Sequence, residues 1–231
     1  MSGQHPWRAW LLGALLLVIG PASWALPPPP QAWQPDIEQL VANDSAHPPP
    51  QRGVLFVGSS SIRMWTRLAS DFPGVPVINR GFGGSAIADS TYYADRIAIP
   101  YHPRLIVMYA GDNDIAEGDT PAQVRDEFKA FVARVRRALP ATAIVYISIK
   151  PSLARAALWP QMREANRLIA EWSRQQSGIT FVDVAARMLD ANGQPRAELF
   201  RADGLHMDKA GYAIWTQALT PVLARYGFPT H

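Results

Sequence analysis

The chain has no cysteine among its 231 residues. That absence excludes a disulfide framework, a thiolate metal centre, a cysteine nucleophile and a lipid anchor on cysteine, and it leaves the redox compartment open. Runs of one charge sign are missing too. The formal charge is +3, and the densest cationic stretch, Arg134-Val135-Arg136-Arg137, fits the last turn of a helix, where cations complement the dipole. Nucleic-acid binding uses a basic patch that this sequence lacks. The five histidines are widely separated, without the spacing of a metal site. The longest apolar run is confined to the N-terminus. Leu11 to Ile19 follows the lone cation Arg8 and precedes Ser23-Trp24-Ala25. A positive start, a short apolar run and a small-x-small site predict a signal peptide over residues 1–25, cleaved near Ala25. The run is short for a membrane span of about 20 residues. Cleavage leaves no stable membrane insertion; without cleavage the segment is an N-terminal anchor. Both readings place the rest of the chain outside the cytoplasm, periplasmic or secreted.

Proline is plentiful but uneven. Ten of the 21 prolines precede Arg52. Residues 26–52 therefore read as an extended, proline-rich linker with one short helix near Asp36 to Val41. From residue 53 to 231 strand and helix patterns alternate, and the length suits one well-buried domain. The strand candidates are Val54 to Val57, Val75 to Asn79, Leu105 to Tyr109, Ile144 to Ile149 and Thr180 to Val184. All but the last are nearly continuous apolar runs, as strands covered on both faces should be. Thr120-Pro121-Ala122-Gln123 is a capping box with proline at the first helical position. After it Val124, Phe128, Phe131, Val132 and Val135 form one stripe. Pro160 starts a second helix, with Met162, Ala165, Leu168, Ile169 and Trp172 on one face. Asp208 caps a third, with Ile214, Trp215, Ala218, Leu219 and Val222 inward. The alternation predicts an α/β fold, a three-layer α/β/α sandwich around a five-stranded parallel sheet. In such sheets ligands bind at the carboxyl ends of the strands.

Three polar segments stand at those ends. Gly58-Ser59-Ser60-Ser61 follows the first strand. Gly111-Asp112-Asn113-Asp114 follows the third. Asp203-Gly204-Leu205-His206 precedes the last helix. A hydroxyl, an amide donor and an Asp/His pair are the components of serine-type acyl chemistry. A neutral imidazole can take a serine proton and return it to a leaving group. A carboxylate three residues away can present itself to that imidazole within one turn, fix its tautomer and stabilise its charged form. Ser60 at a strand-to-helix turn is the candidate nucleophile, with Ser59 and Ser61 as rivals; a serine there also serves as a plain helix cap. Asp203-Gly204 alone reads equally well as a surface turn. Asn113 and Gly84, the latter in Asn79-Arg80-Gly81-Phe82-Gly83-Gly84, are candidate oxyanion donors, together with the Ser60 N–H. Glycine at position 84 lets the backbone approach closely with no side chain in the way. Asp112 and Asp114 read as turn and helix-start residues. Ile149-Lys150-Pro151-Ser152, at the end of the fourth strand, could shape the pocket but reads more readily as an ordinary strand exit.

Two competing motifs fail. No Gly-x-Ser-x-Gly elbow is present. Gly81-Phe82-Gly83-Gly84-Ser85-Ala86 imitates a dinucleotide fingerprint, yet it follows the second strand and has no acidic partner about 20 positions on.

The order Ser…Gly…Asn…Asp-x-x-His resembles the block pattern of the SGNH, or GDSL-type, hydrolases from Val54 to about Leu223, and Asp203 to Trp215 is similar to that family's last block beyond the two key letters. Within the pattern the nucleophile is the second residue after the glycine, which is Ser60. The family commonly has aspartate before it, where this chain has Ser59. The resemblance implies a flavodoxin-like sandwich and esterase or lipase-like activity without cofactor or metal. Ser60, His206 and Asp203 would be catalytic, and Ser60, Gly84 and Asn113 would form the oxyanion hole. The substrate would be a small-molecule, lipid or glycan ester: small acyl, lysophospholipid or acetylated sugar. No long lid insertion separates the blocks, which favours an open site and small or surface-accessible esters. Two other readings stay open: an envelope glycan O-acyltransferase using the same triad, and a non-catalytic envelope binding domain that kept the fold.

Overall fold

A computed structural model describes residues 29–229; the segment read as a signal peptide lies outside them. In chain order the elements are α1 (Gln34–Ala46), β1 (Val54–Gly58), α2 (Ser60–Arg63), α3 (Leu68–Asp71), β2 (Val77–Gly81), α4 (Ile87–Tyr92), α5 (Ala94–Ile97), β3 (Leu105–Tyr109), α6 (Asp112–Glu117), α7 (Pro121–Ala138), β4 (Ala143–Ile147), α8 (Trp159–Ser173), β5 (Ile179–Val182) and α9 (Lys209–Arg225). The five strands form one parallel sheet in the order β2-β1-β3-β4-β5. Strand side chains alternate between two separate cores. Leu55, Val57, Ile106, Met108, Ile144 and Tyr146 face α1, α4, α5, α7 and α8. Val54, Phe56, Leu105, Val107, Tyr109 and Val145 face α2, α3 and α9. Helices cover both faces, so β1, β3 and β4 are buried at every position, which is why their sequences read as unbroken apolar runs.

The capping box forms as expected. Thr120 Oγ1 accepts from the Gln123 N–H at 3.3 Å, and Gln123 Oε1 accepts from the Thr120 N–H at 2.9 Å. All five residues of the α7 stripe are buried. Asp208 caps α9 through Oδ1, which accepts from Ala210 and Gly211. On α8, Leu168 and Trp172 are only half-buried.

Strand boundaries shift for local reasons. β2 begins at Val77 instead of Val75, because Pro76 has no N–H to donate and contributes only its carbonyl, to the Val54 N–H. β4 stops at Ile147. Beyond it, Asn166 of α8 takes over the Ile149 backbone, accepting from its N–H at 2.7 Å and donating to its carbonyl at 2.8 Å. β5 ends at Val182, where Asp183 turns the chain by accepting from the Ala185 N–H.

The largest departure from the sequence reading is α1. Proline density predicts an extended segment with a short helix, whereas the helix runs thirteen residues. Pro35 sits in its first turn, where a missing N–H costs nothing. The helix docks on the domain through Ile37, which is fully buried, and through Asp44. The Asp44 carboxylate accepts from the Arg80 guanidinium and the Tyr101 hydroxyl, and Arg80 also lies over the Tyr101 ring.

Candidate active site

The strand order reverses between β1 and β3, and the crevice at their carboxyl ends is the expected ligand site of such a sheet. Ser60 follows β1 and Asn113 follows β3. Gly58 lets the ends of the two strands lie close together. It has φ of 132°, and a Cβ there would stand 1.8 Å from the Tyr109 carbonyl oxygen. Ser59, in extended conformation, is the N-cap of α2, and Ser60 is its first residue. The Ser60 N–H is therefore among the helix-start amides with no intrahelical acceptor. Ser59 and Ser61 are buried, whereas Ser60 is partly exposed. Of the three rivals, only Ser60 meets the histidine.

The meeting is direct although the two residues lie 146 positions apart. His206 Nε2 is 3.0 Å from Ser60 Oγ, and His206 Nδ1 is 2.8 Å from Asp203 Oδ2. The Asp203 side chain also builds its own turn. Its Oδ1 accepts from the Leu205 and His206 N–H groups, each at 2.9 Å. These three hydrogen bonds, led by the one from His206, hold the Asp203 carboxyl well below the usual carboxylate range. The turn is closed at its base, where the Arg201 N–H donates to the His206 carbonyl at 2.8 Å. Beneath it, Tyr212 of α9 donates to the Ser61 carbonyl at 2.9 Å and stacks on Trp65. That contact ties the helix behind the histidine to the turn that carries the serine.

Asn113 is buried in the first turn of α6. Its Nδ2 donates to the Ser85 carbonyl at 3.0 Å, and its Oδ1 accepts from Arg155 Nη2 at 2.9 Å. Gly84 is exposed, with φ of 75°. A Cβ at Gly84 would be 2.9 Å from the Trp33 ring. Glycine is thus required there both by backbone conformation and by the indole. The sequence-predicted groups therefore divide into a bonded chain, Ser60–His206–Asp203, and two separate candidates, Asn113 in the first turn of α6 after β3 and Gly84 on the loop after β2.

The flanking aspartates are structural. Asp114 Oδ1 accepts from the Ile87 N–H at 2.8 Å, joining α6 to the start of α4. Asp112 Oδ2 lies 3.2 Å from Arg155 Nη1 and 3.5 Å from Lys150 Nζ. Asp114, Asp119 and Glu127 bring carboxylate oxygens within 4.8 Å of one another. Burial raises the Asp114 and Glu127 carboxyls, and Asp114 raises Glu127 further. The raised carboxyls favour their protonated forms, which relieves the mutual repulsion.

Sequence reasoning missed Trp33 and Arg155 around the site and set Lys150 aside as part of a strand exit. Trp33 comes from a segment read as linker, so nothing marked it. Lys150 and Arg155 carried a faint signal: two cations within six residues of a strand end, with no acidic neighbour in sequence. Their acid, Asp112, is 38 positions from Lys150.

Residues 51–214 match the family model of the GDSL-like lipase/acylhydrolase family. The chain belongs to that family. As a GDSL-type protein it is a serine hydrolase acting on esters. No curated protein matches it in sequence. Among solved structures it is similar to a GDSL-like lipase from Bacteroides thetaiotaomicron, with 20% identity, a TM-score of 0.69, and coverage of 82% of this chain and 98% of that one. It is also similar to a Streptococcus pneumonia protein named for platelet activating factor, with 22% identity, a TM-score of 0.74, and coverage of 84% and 94%. A third is an acetyl-xylooligosaccharide esterase from Geobacillus, with 15% identity, a TM-score of 0.60, and coverage of 78% and 96%. At these identities the likeness is one of fold. Among the described residues no helix is long and apolar enough to cross a membrane.

Proposed function

We propose that this GDSL-type hydrolase is an exported esterase that works through Ser60, His206 and Asp203. The observation that carries the reading is the unbroken chain Ser60 Oγ–His206 Nε2 at 3.0 Å and His206 Nδ1–Asp203 Oδ2 at 2.8 Å. Such a chain, nucleophile to base to orienting acid, is the arrangement that activates a hydroxyl. Ser60 Oγ attacks the ester carbonyl carbon as its proton passes to His206 Nε2. The oxyanion that forms is held by the Ser60 and Gly84 N–H groups and the Asn113 amide. Collapse of the intermediate expels the alcohol, which takes the proton from His206, and leaves an acyl group on Ser60. Water, deprotonated by the same imidazole, then releases the acid.

The site favours small acyl groups or surface-accessible esters. Trp33 walls the Gly84 side, and half-exposed Leu153 stands beside the Asp203-Gly204 turn. A fold neighbour that is an acetyl-xylooligosaccharide esterase supports including acetylated sugars among the esters to try. Export rests on the signal-like residues 1–25, with the hydrolase domain from residue 53 onward. A panel of esters of graded acyl length, assayed with and without a glycan acceptor, tests the reading. Free acid as the product, greatest for acetyl esters, agrees with it. Transfer of the acyl group to the glycan in preference to water would instead make the protein an acyltransferase.

A further inference from the structure

The loop that leaves β4 touches the carboxyl-end face through two adjacent residues. The Ala154 N–H donates to the Gly204 carbonyl at 3.0 Å and so braces the turn that carries Asp203 and His206. The next residue, Arg155, donates from Nη2 to Asn113 Oδ1 at 2.9 Å, while its Nη1 lies 3.2 Å from Asp112 Oδ2. At the opposite edge of the same amide, Asn113 Nδ2 donates to the Ser85 carbonyl at 3.0 Å. A guanidinium has donors only, and a backbone carbonyl accepts only. Between them they admit one orientation of the Asn113 amide, with oxygen toward Arg155 and nitrogen toward Ser85. The amide nitrogen carries two hydrogens. Ser85 takes one, and among the described residues no acceptor takes the other.

We propose that Arg155 is a positioning residue for the oxyanion hole: it fixes the Asn113 amide so that an N–H, and not the carbonyl oxygen, faces the reacting ester. The inference rests on the reading of Asn113 as an oxyanion donor. Without Arg155 the amide oxygen loses its donor. Rotation by half a turn then becomes open to the side chain, and the rotated amide sets a lone pair against a developing negative charge. Charge adds to geometry. Arg155 lies against the Asp112 carboxylate and sets its guanidinium charge beside Asn113. Arg155 is only 19% exposed at its side chain and Asp112 6%, which limits solvent screening of that field.

Removal of the guanidinium leaves Asp112 with Lys150 as a partner, so an Arg155→Met variant retains the fold. Its kcat on a soluble ester should fall about 10²-fold, near the loss of one oxyanion donor, with KM within about threefold of the native value. Arg155→Lys, which keeps one donor, should recover part of that loss. In an Asn113→Ala background Arg155→Met should cost less than about threefold more, because its effect runs through Asn113. Native kcat in Arg155→Met beside a slow Asn113→Ala would overturn the inference and leave the oxyanion reading standing. Multiplicative losses in the double variant, or an effect on KM alone, would also overturn it by making Arg155 an independent contact. Native kcat in Asn113→Ala would bring down the oxyanion reading and the inference together.

Discussion

Asp203→Asn is the perturbation whose consequence follows most closely from the geometry. The native carboxylate uses both oxygens. Oδ1 accepts from the Leu205 and His206 N–H groups, and Oδ2 faces His206 Nδ1. An asparagine has one oxygen for these three donors. If its oxygen stays with the two backbone N–H groups, its NH₂ faces Nδ1. The imidazole must then offer a lone pair at Nδ1 and carry its proton on Nε2, toward Ser60 Oγ, where it cannot act as a base. If the amide rotates instead, two backbone donors are set against an NH₂ and the turn itself is broken. The first arrangement costs less, so the fold survives and the tautomer is wrong. The loss of kcat expected for that fault is about 10⁴-fold, or about 5.5 kcal/mol of transition-state stabilisation. The assay is steady-state hydrolysis of a chromogenic acetate ester, with thermal unfolding by circular dichroism beside it. KM should stay within about threefold and Tm within a few degrees. A variant within about tenfold of native kcat, properly folded, would refute the assignment of Asp203 as the orienting carboxylate.

Two further outcomes concern stability. Burial raises the Glu127 carboxyl, as does neighbouring Asp114, and burial pushes Glu117 up to about 7. A raised carboxyl means that the folded chain holds protons the unfolded chain has released above about pH 4, so stability falls as pH rises from there through the folded values. Glu127→Gln should raise Tm by ~2–4 °C at pH 8 and by much less at pH 5, since at pH 8 the folded Glu127 must hold a proton that the unfolded chain has released and a glutamine need not, a difference on the order of 1 kcal/mol; an equal shift at both pH values would show that protonation is not the cause. Asp44→Ala leaves the Arg80 guanidinium, 8% exposed, without its carboxylate. The expected cost is about 3 kcal/mol, seen as a Tm drop of ~6–12 °C; a drop below about 2 °C would mean that α1 contributes little to the domain.

Much of this was legible in the sequence because it is local. Burial on both faces forces β1, β3 and β4 into continuous apolar runs, and Thr120 to Gln123 announces α7 by chemistry confined to four residues. The three-residue step from Asp203 to His206 is local as well, whereas Ser60 is told from Ser59 and Ser61 by the resemblance to the family pattern. What could not be read depends on partners far away in sequence. Proline density around α1 says extended chain; the helix is held by Asp44 on Arg80 and Tyr101, 36 and 57 positions on. The end of β4 depends on Asn166, whose side chain captures the Ile149 backbone. Trp33 reaches Gly84 from a segment that precedes the family-matched residues. Arg155 meets Asn113, 42 positions earlier, only through the fold.

The central claim is that Ser60, activated by His206, carries the acyl group. A fluorophosphonate probe followed by peptide mass spectrometry tests it most directly, because the probe bonds to the activated serine itself. The native protein should carry one adduct, on Ser60. Ser60→Ala should take none and lose at least on the order of 10³ in kcat. His206→Ala should label far more slowly. An adduct on Ser59 or Ser61, or ester hydrolysis undiminished in Ser60→Ala, would contradict the account.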